Sequence, residues 1–135
     1  MKLIVDTNRI IAALIRDSTS RKILLSDKFD FLTVGVSKSE IEEHKQDLLE
    51  KANLTEDEFN TVLALLFSRI FIVDDIVIEN KMGEAKEIMD NIDPGDTPFI
   101  ALALAVESDG IWSDDEHFEQ QNRIKVWKTK KLLEF

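Results

Sequence analysis

The sequence predicts an α/β fold with a mostly parallel sheet and helices on both of its faces. Short apolar runs such as Lys2–Val5 and Ile70–Val73 have the length and composition of buried strands. Segments with apolar residues at helical spacing lie between these runs. Strands that alternate with helices form parallel units, and right-handed crossovers bring the carboxyl ends of the strands to one edge of the sheet. The four glycines and two prolines of the chain favour short connections.

The first elements follow from apolar spacing. After the strand Lys2–Val5, apolar residues at helical spacing predict a helix over Asn8 to about Arg16. Residues 17–19 interrupt this pattern, and a short helix around Leu24 follows. The run Phe31–Val36 predicts the second strand.

Two capping boxes predict the starts of the next helices. Ser37 and Glu40 fit the Ser-x-x-Glu pattern, with an apolar stripe that continues to Ala52. Thr55 and Glu58 repeat the pattern ahead of another amphipathic segment.

The next part of the chain predicts one strand and two helices. The strand is Ile70–Val73. A clean helical face follows, because apolar residues recur at steps of four, three, four and three: Ile78, Met82, Ala85, Met89 and Ile92. Asp93–Asp96 is a turn by its residue types, and Thr97 can cap a helix with Pro98 at its first position. That helix, Phe99–Val106, is apolar almost all round and is therefore expected to be buried.

The remaining predicted elements are short. Gly110–Trp112 and Ile124–Trp127 predict the last two strands, and Lys128–Leu133 predicts a terminal helix.

Composition limits the class of protein. With 135 residues, the chain is expected to form a single domain over 1–135. The formal net charge of −10 repels bulk nucleic acid and favours basic partners or cations. The absence of cysteine excludes disulfides, thiolate nucleophiles and cysteine-based zinc sites. No apolar run has the length of a membrane span or a signal peptide, so we expect a soluble, cytoplasmic protein.

Acidic residues occupy comparable positions along the chain. Asp6 follows the first predicted strand, Asp115 follows the strand that ends at Trp112, and Glu40 lies just after the second strand. Parallel topology places all three near one edge of the sheet. Asp93 and Asp96 precede the buried helix instead, so their turn must fold back to that edge, which the pattern permits but does not require.

Carboxylates gathered at one edge repel one another unless a cation is present. Mg²⁺ prefers such oxygen ligands, and it can activate a water and neutralise a phosphodiester. Thr7 and Asn8 add neutral oxygens that could orient a water or a phosphate. The two histidines, His44 and His117, lie in no recognisable triad or metal-binding spacing, and we expect them at the surface or in packing.

Each acidic position also has a simpler structural role. Asp6 and Asn8 could be only helix caps. A capping box would occupy Glu40 fully. Asp93 and Asp96 could be ordinary turn residues. On spacing alone these alternatives stay open.

Four acidic motifs occur in order along the chain. The first is LIVDTN, a strand that ends in Asp-Thr-Asn, and the second is VSKSEIEEH, with a glutamate after the second strand. The third is IDPGDTPFIALALA, and the fourth is GIWSDDEHF, an apolar-Trp-Thr/Ser-x-Asp-x-x-Phe pattern. Together these motifs resemble those of the PIN domain family, in particular the VapC-like toxin nucleases of prokaryotes. The resemblance covers nearly the whole chain, and its third and fourth motifs are the specific ones.

The resemblance implies roles for individual residues. Metal-binding or catalytic roles fall on four positions: Asp6, Glu40, Asp96 and Asp115. Asp93 becomes an auxiliary acidic ligand, and the supporting residues are Thr7, Asn8 and Ser113. In the fourth motif, Asp114 replaces a residue that is often glycine; the spacing to Phe118 favours Asp115 as the ligand, with Asp114 as the substitute.

The resemblance also implies a fold and an activity. The fold is a three-layer α/β/α sandwich of the PIN type. The activity is that of a Mg²⁺- or Mn²⁺-dependent endoribonuclease, which hydrolyses RNA by a metal-activated water and acts as the toxin of a toxin–antitoxin pair. The implied partners are RNA, a basic antitoxin protein and a second copy of the chain.

Two other functions fit parts of the pattern. The chain could be an acidic protein-binding module on the same fold, with weak or lost nuclease activity, because its charge suits a basic partner. It could also be a phosphatase or receiver domain that uses Asp6 as a phosphoryl acceptor, although the third and fourth motifs argue against this.

Overall fold

A computed structural model of the chain describes residues 1–15 and 18–135. The described residues form a five-stranded sheet with the strand order β3-β2-β1-β4-β5. The strands are β1 Lys2–Val5, β2 Asp30–Val34, β3 Ile70–Val73, β4 Ile111–Trp112 and β5 Val126–Trp127. Every pairing between neighbouring strands is parallel, which confirms the predicted parallel sheet.

Helices connect the strands and cover both faces of the sheet. Their bounds are α1 Thr7–Ile15, α2 Ser18–Leu24, α3 Gly35–Glu43, α4 Lys45–Ala52, α5 Glu56–Phe67, α6 Asp75–Ile78, α7 Met82–Met89, α8 Thr97–Ala105, α9 Glu116–Glu119 and α10 Thr129–Leu132. Short 3₁₀ turns lie at Glu79–Lys81 and Pro94–Asp96.

The alternation of side chains along β1 shows the layers. Leu3 and Val5 pack into one core, together with apolar residues of α1 to α5. Ile4 packs into a second core, together with apolar residues of α6, α7 and α8. Because successive strand residues point to opposite faces, these two cores lie on opposite sides of the sheet. The predicted three-layer α/β/α sandwich is therefore confirmed.

The predicted capping box at Ser37 is wrong. The second strand ends at Val34 rather than Val36, and α3 begins at Gly35, so Ser37 lies inside the helix. Val34 is the N-cap of α3, and no side chain caps it. The segment predicted as one helix to Ala52 is two helices, α3 and α4, which meet at His44.

The capping box at Thr55 is confirmed, since the Thr55 and Glu58 side chains bond reciprocally to the backbone of α5. The predicted extension of the first helix to about Arg16 and the interruption at Asp17 lie outside the described residues. The interruption predicted for Ser18 and Thr19 is wrong, because α2 begins at Ser18.

The predicted helical face from Ile78 to Ile92 is divided. Ile78 ends α6, the 3₁₀ turn Glu79–Lys81 intervenes, and Ile92 lies beyond the end of α7. The apolar spacing was nevertheless informative, because Ile78, Ala85 and Met89 are buried in one core. Apolar spacing records which side chains are buried, and it does not detect the breaks in backbone hydrogen bonding between them.

Several boundaries in the last third differ by a few residues. Thr97 is the first residue of α8 rather than its cap, and α8 ends at Ala105. The last two strands and the terminal helix are shorter than predicted, and the sequence did not predict α9.

Gly110 lets β5 approach β4 closely. Its φ of +130° belongs to the region that side chains disfavour, and a Cβ there would collide with the Lys125 carbonyl oxygen. That carbonyl accepts a hydrogen bond from the Ile111 N–H at 2.9 Å. The close approach holds the short edge strand in register. No helix within the described ranges is both long and apolar enough to cross a membrane.

Candidate active site

The register of β1 and β4 places Asp6 next to Ser113. Val5 lies opposite Trp112 in the parallel pairing, so the residues that follow them leave the sheet side by side. The Ser113 hydroxyl donates a hydrogen bond to Asp6 Oδ2. This contact fixes one carboxylate at the carboxyl edge of the sheet, where ligand sites of open α/β sheets lie.

Asp6 both caps a helix and faces the site. Its Oδ1 accepts the backbone N–H of Arg9 at 2.9 Å, in the first turn of α1. Its Oδ2 remains for Ser113 and the site. Burial raises the pKa of Asp6 to about 6, because the charged form loses hydration, although the hydrogen bond from Ser113 opposes the rise. Asp6 can therefore be both a helix cap and a ligand, the two roles that the sequence left open.

The turn at Pro94–Asp96 brings Asp96 to the same edge. Asp93 Oδ1 accepts the Gly95 N–H at 2.9 Å and so shapes the turn. The pKa of Asp96 rises to about 7, chiefly through burial and then through repulsion from Asp93, Asp115 and Asp6. Carboxylates perturb one another in this way only when they are close. The turn therefore folds back to the strand ends, as the sequence permitted but did not require.

Asp115 enters the site through α9. Its Oδ1 accepts the backbone N–H of His117 at 2.9 Å and so caps this helix. The Asp115 backbone N–H donates to Ser113 Oγ at 3.0 Å. Ser113, which is fully buried, therefore joins Asp6 to Asp115 by donating to one and accepting from the other.

The His117 side chain is 44% exposed, as expected for a surface position, but the sequence did not predict that it lies beside these carboxylates. Its Nδ1 lies 3.1 Å from Asp93 Oδ2, 3.2 Å from Asp115 Oδ1 and 3.8 Å from Asp96 Oδ2. The sequence did carry a signal, because His117 is two residues after Asp115. That signal depends on the short α9, which the sequence did not predict.

Glu40 contacts Thr7, and the aspartates are not among the groups that act on its pKa. Burial raises its pKa, a hydrogen bond from the Thr7 side chain opposes the rise, and the charged groups that act on it are His44 and Glu43. Thr7 Oγ1 lies 2.8 Å from the buried Ser37 Oγ. Because Thr7 follows Asp6 directly, this pair of hydroxyls connects Glu40 to the first strand end. Glu40 is not occupied in a capping box, which removes that alternative.

Asp114 bonds to Thr129 and Arg9 rather than to the aspartate cluster. Asp114 Oδ1 accepts the Thr129 N–H at 2.8 Å, and its Oδ2 accepts the Thr129 hydroxyl at 2.7 Å and pairs with Arg9 Nη1 at 2.9 Å. Both oxygens are thereby occupied, and the geometry favours Asp115 over Asp114 as a ligand. Asn8 is exposed in the first turn of α1.

The donor set suits a divalent cation. Asp93, Asp96 and His117 each offer a ligand atom, and these atoms lie within 4.8 Å of one another. Buried side-chain atoms without a hydrogen-bond partner in the described structure include Asp96 Oδ2, Thr97 Oγ1 and His117 Nδ1. Buried polar atoms are rarely left unsatisfied, so the two that lie together, Asp96 Oδ2 and His117 Nδ1, indicate that another group completes the site.

Comparisons with known proteins agree with this geometry. The chain matches the family profile for the PIN domain over residues 4–134. No significantly similar sequence was found among curated proteins. The solved structure of VapBC2 from Rickettsia felis, bound to a DNA fragment from its promoter, includes a chain with a TM-score of 0.72 at 14% sequence identity. The match covers 95% of this chain and 98% of that one, so the fold is shared over almost the full length.

Proposed function

Because this chain belongs to the PIN domain family, we propose that residues 1–135 form one nuclease domain that hydrolyses RNA phosphodiester bonds with a divalent cation. PIN domains are generally nucleases and use divalent metal ions. The observation that carries the proposal is the meeting of Asp6, Asp96 and Asp115, from three separate segments, at the carboxyl edge of the sheet. Burial, followed by repulsion within this group, raises the pKa of Asp96, and a bound cation would relieve both.

In this proposal, Asp6, Asp96 and Asp115 hold Mg²⁺ or Mn²⁺, and Asp93 supports them from the same turn. The cation would activate a water and neutralise the charge that develops on the phosphodiester. Ser113 keeps Asp6 Oδ2 in place by donating its hydroxyl proton. Outer hydrogen bonds of this kind orient ligands and tune a metal site.

Glu40 is proposed to orient the attacking water. Its carboxylate is half-buried, and Thr7 fixes it by a hydrogen bond. Its raised pKa makes it a better proton acceptor than an ordinary surface glutamate. Asn8, exposed beside Asp6, is proposed to contact the substrate phosphate or a bound water.

The geometry does not suit a phosphoryl acceptor. Asp6 is only 3% exposed, and its two oxygens accept hydrogen bonds from Arg9 and Ser113. A nucleophilic carboxylate must be open to a whole phosphoryl group, which a side chain this buried is not, whereas a small cation needs only the second lone pair of one oxygen.

We propose that the nuclease is the toxin of a toxin–antitoxin pair. The support is the fold shared with a chain of VapBC2 and the net charge of −10, which would attract a basic antitoxin. An arginine of that antitoxin would satisfy the acidic cluster in place of the cation. RNA cleavage and such control both take place in the cytoplasm, where we propose that the protein acts.

A homodimer is proposed on the basis of an exposed apolar surface. Phe71 on the edge strand β3 is 67% exposed, and Ile76 and Val77 on α6 are 69% and 43% exposed. Exposed apolar side chains that cluster in this way commonly mark protein interfaces. The molar mass of the purified protein in solution tests this assembly.

Cleavage of structured RNA by the purified protein tests the activity. The proposal expects cleavage that requires Mg²⁺ or Mn²⁺ and is lost in Asp6→Asn. Full activity in excess chelator would rule out the metal mechanism. A co-purifying basic peptide, with no hydrolysis of any RNA tested, would instead favour the protein-binding module.

A further inference from the structure

The imidazole of His117 lies among three carboxylates. The backbone N–H of His117 donates to Asp115 Oδ1, which ties the residue to the start of α9. Its Nδ1 then lies 3.1 Å from Asp93 Oδ2 and 3.2 Å from Asp115 Oδ1. Asp96 Oδ2 is slightly farther, at 3.8 Å. The nitrogen thus has three oxygens from two separate segments around it.

These separations match those within a metal coordination shell. Ligand atoms about 2.1 Å from an octahedral cation lie about 3.0 Å from their nearest neighbours. The observed distances of 3.1 and 3.2 Å fit adjacent positions, and 3.8 Å requires only a small movement of Asp96.

The hydrogen bonding of His117 Nδ1 and Asp96 Oδ2 also indicates a metal site. None of the contacts of His117 Nδ1 has hydrogen-bond geometry, although the atom is shielded from solvent. Asp96 Oδ2 is likewise shielded and without a partner among the described residues. An imidazolium that served only as a counter-ion would instead aim its N–H at one carboxylate.

We propose that His117 Nδ1 is a direct ligand of the divalent cation, and that this nitrogen gives the site a preference for Mn²⁺ over Mg²⁺. The inference rests on the proposed function, because it concerns the cation of the same site. The neutral imidazole carries its proton on Nε2 and presents a lone pair at Nδ1. In the proposed ligand set of Asp6, Asp96 and Asp115, the His117 nitrogen lies beside Asp96 and Asp115, and Asp93 supports them.

The preference follows from ligand chemistry. Mg²⁺ takes oxygen ligands almost exclusively, and it gives up bound water reluctantly. Imidazole nitrogen favours first-row transition ions, whose affinity rises from Mn²⁺ through the series. Replacing an oxygen by a nitrogen therefore costs Mg²⁺ more than it costs Mn²⁺.

Electron paramagnetic resonance of bound Mn²⁺ tests the ligand without reference to catalysis. Electron spin-echo modulation detects a directly coordinated ¹⁴N, and the experiment uses the full chain with any histidine tag removed. The chain has only two histidines, so the matched variants are His117→Gln and His44→Gln. Calorimetry measures the affinities for Mn²⁺ and Mg²⁺, and circular dichroism confirms that each variant is folded.

The proposal expects ¹⁴N modulation in the wild type and in His44→Gln, and its loss in His117→Gln. It also expects His117→Gln to weaken Mn²⁺ binding by about tenfold or more, with a smaller change for Mg²⁺. Bound Mn²⁺ without ¹⁴N modulation, or equal weakening of both ions, would overturn the inference and leave the nuclease proposal standing. Absence of any Mn²⁺ binding would overturn both.

Discussion

The Ser113 hydroxyl donates a hydrogen bond to Asp6 Oδ2, although the two residues are 107 positions apart in the chain. The parallel pairing of β1 with β4 creates this contact, because it sets the two strand ends beside each other. The same hydroxyl accepts the N–H of Asp115. One buried serine therefore organises two of the proposed metal ligands.

Replacing Ser113 by alanine should reduce Mn²⁺ affinity and RNA cleavage by about 10- to 100-fold, because Asp6 Oδ2 loses its fixed partner. Ser113→Thr keeps the hydroxyl and should retain more of both. Calorimetry and cleavage rates measure the two effects. Equal loss in the alanine and threonine variants would show that packing volume, and not the hydroxyl, is what matters.

Glu40→Gln should lower the rate of RNA cleavage by about 100-fold or more, since the amide cannot accept a proton from water. Thermal stability should stay close to that of the wild type, because α3 begins at Gly35 and does not use Glu40 as a cap. Glu42→Gln, at an exposed position on the same helix, is the matched control. A large fall in melting temperature for Glu40→Gln would contradict this assignment.

The protein without cation should become less stable as the pH rises from about 4 to 7. In the folded state the pKa values of Asp6 and Asp96 are raised to about 6 and about 7, so the folded chain binds more protons than the unfolded chain in this window. For the buried Asp6, each pKa unit corresponds to about 1.4 kcal/mol, so the loss of folding stability from this group has an upper bound of about 3 kcal/mol. Denaturant unfolding in the presence of chelator, at several pH values, measures the slope.

Asp96→Asn should make the folding stability of the cation-free protein depend less on pH. Mn²⁺ should stabilise the wild type more at neutral than at acidic pH. Asp90→Asn changes the net charge equally at an exposed position, so it separates the local effect from general charge repulsion. An unchanged slope in Asp96→Asn would contradict the prediction.

Two glycines should respond oppositely to alanine. Gly110→Ala should cost about 2 kcal/mol or more, because a side chain at φ +130° is strained and meets the Lys125 carbonyl. Gly83 lies in α7 with open space around it, so Gly83→Ala should stabilise by about 0.5 to 1 kcal/mol. Denaturant unfolding measures the change in the free energy of unfolding for each variant. An unchanged value for Gly110→Ala would contradict the prediction and show that β5 can shift.

Apolar patterning was sufficient to predict the five strands in their order along the chain, but not every helix between them. It located Lys2–Val5 and Ile70–Val73 correctly, because a buried parallel strand reads as a continuous apolar run. It missed the break at His44, since local hydrogen bonding and not burial decides where one helix ends. The predicted capping box at Ser37 failed for a related reason. The Ser37 hydroxyl bonds to the Thr7 hydroxyl in the interior and does not cap its own helix.

The site was predictable where parallel topology alone determines position. Asp6, Ser113 and Asp115 follow neighbouring strand ends, and strand pairing places them together. The position of Asp96 depends on the path of a turn that follows a helix, which spacing does not determine. His117 was missed because the four-residue helix that carries it has too few residues to show a periodic pattern.

RNA cleavage by Asp96→Asn tests the central claim most directly, since Asp96 is the carboxylate on which Asp6, Asp93 and Asp115 all act. The assay compares the wild type, Asp96→Asn and Asp90→Asn on structured RNA with added Mn²⁺, and then with excess chelator. The account predicts cleavage by the wild type and Asp90→Asn only, and none by any of them in chelator. Cleavage by Asp96→Asn at the wild-type rate, or undiminished cleavage in chelator, would contradict it.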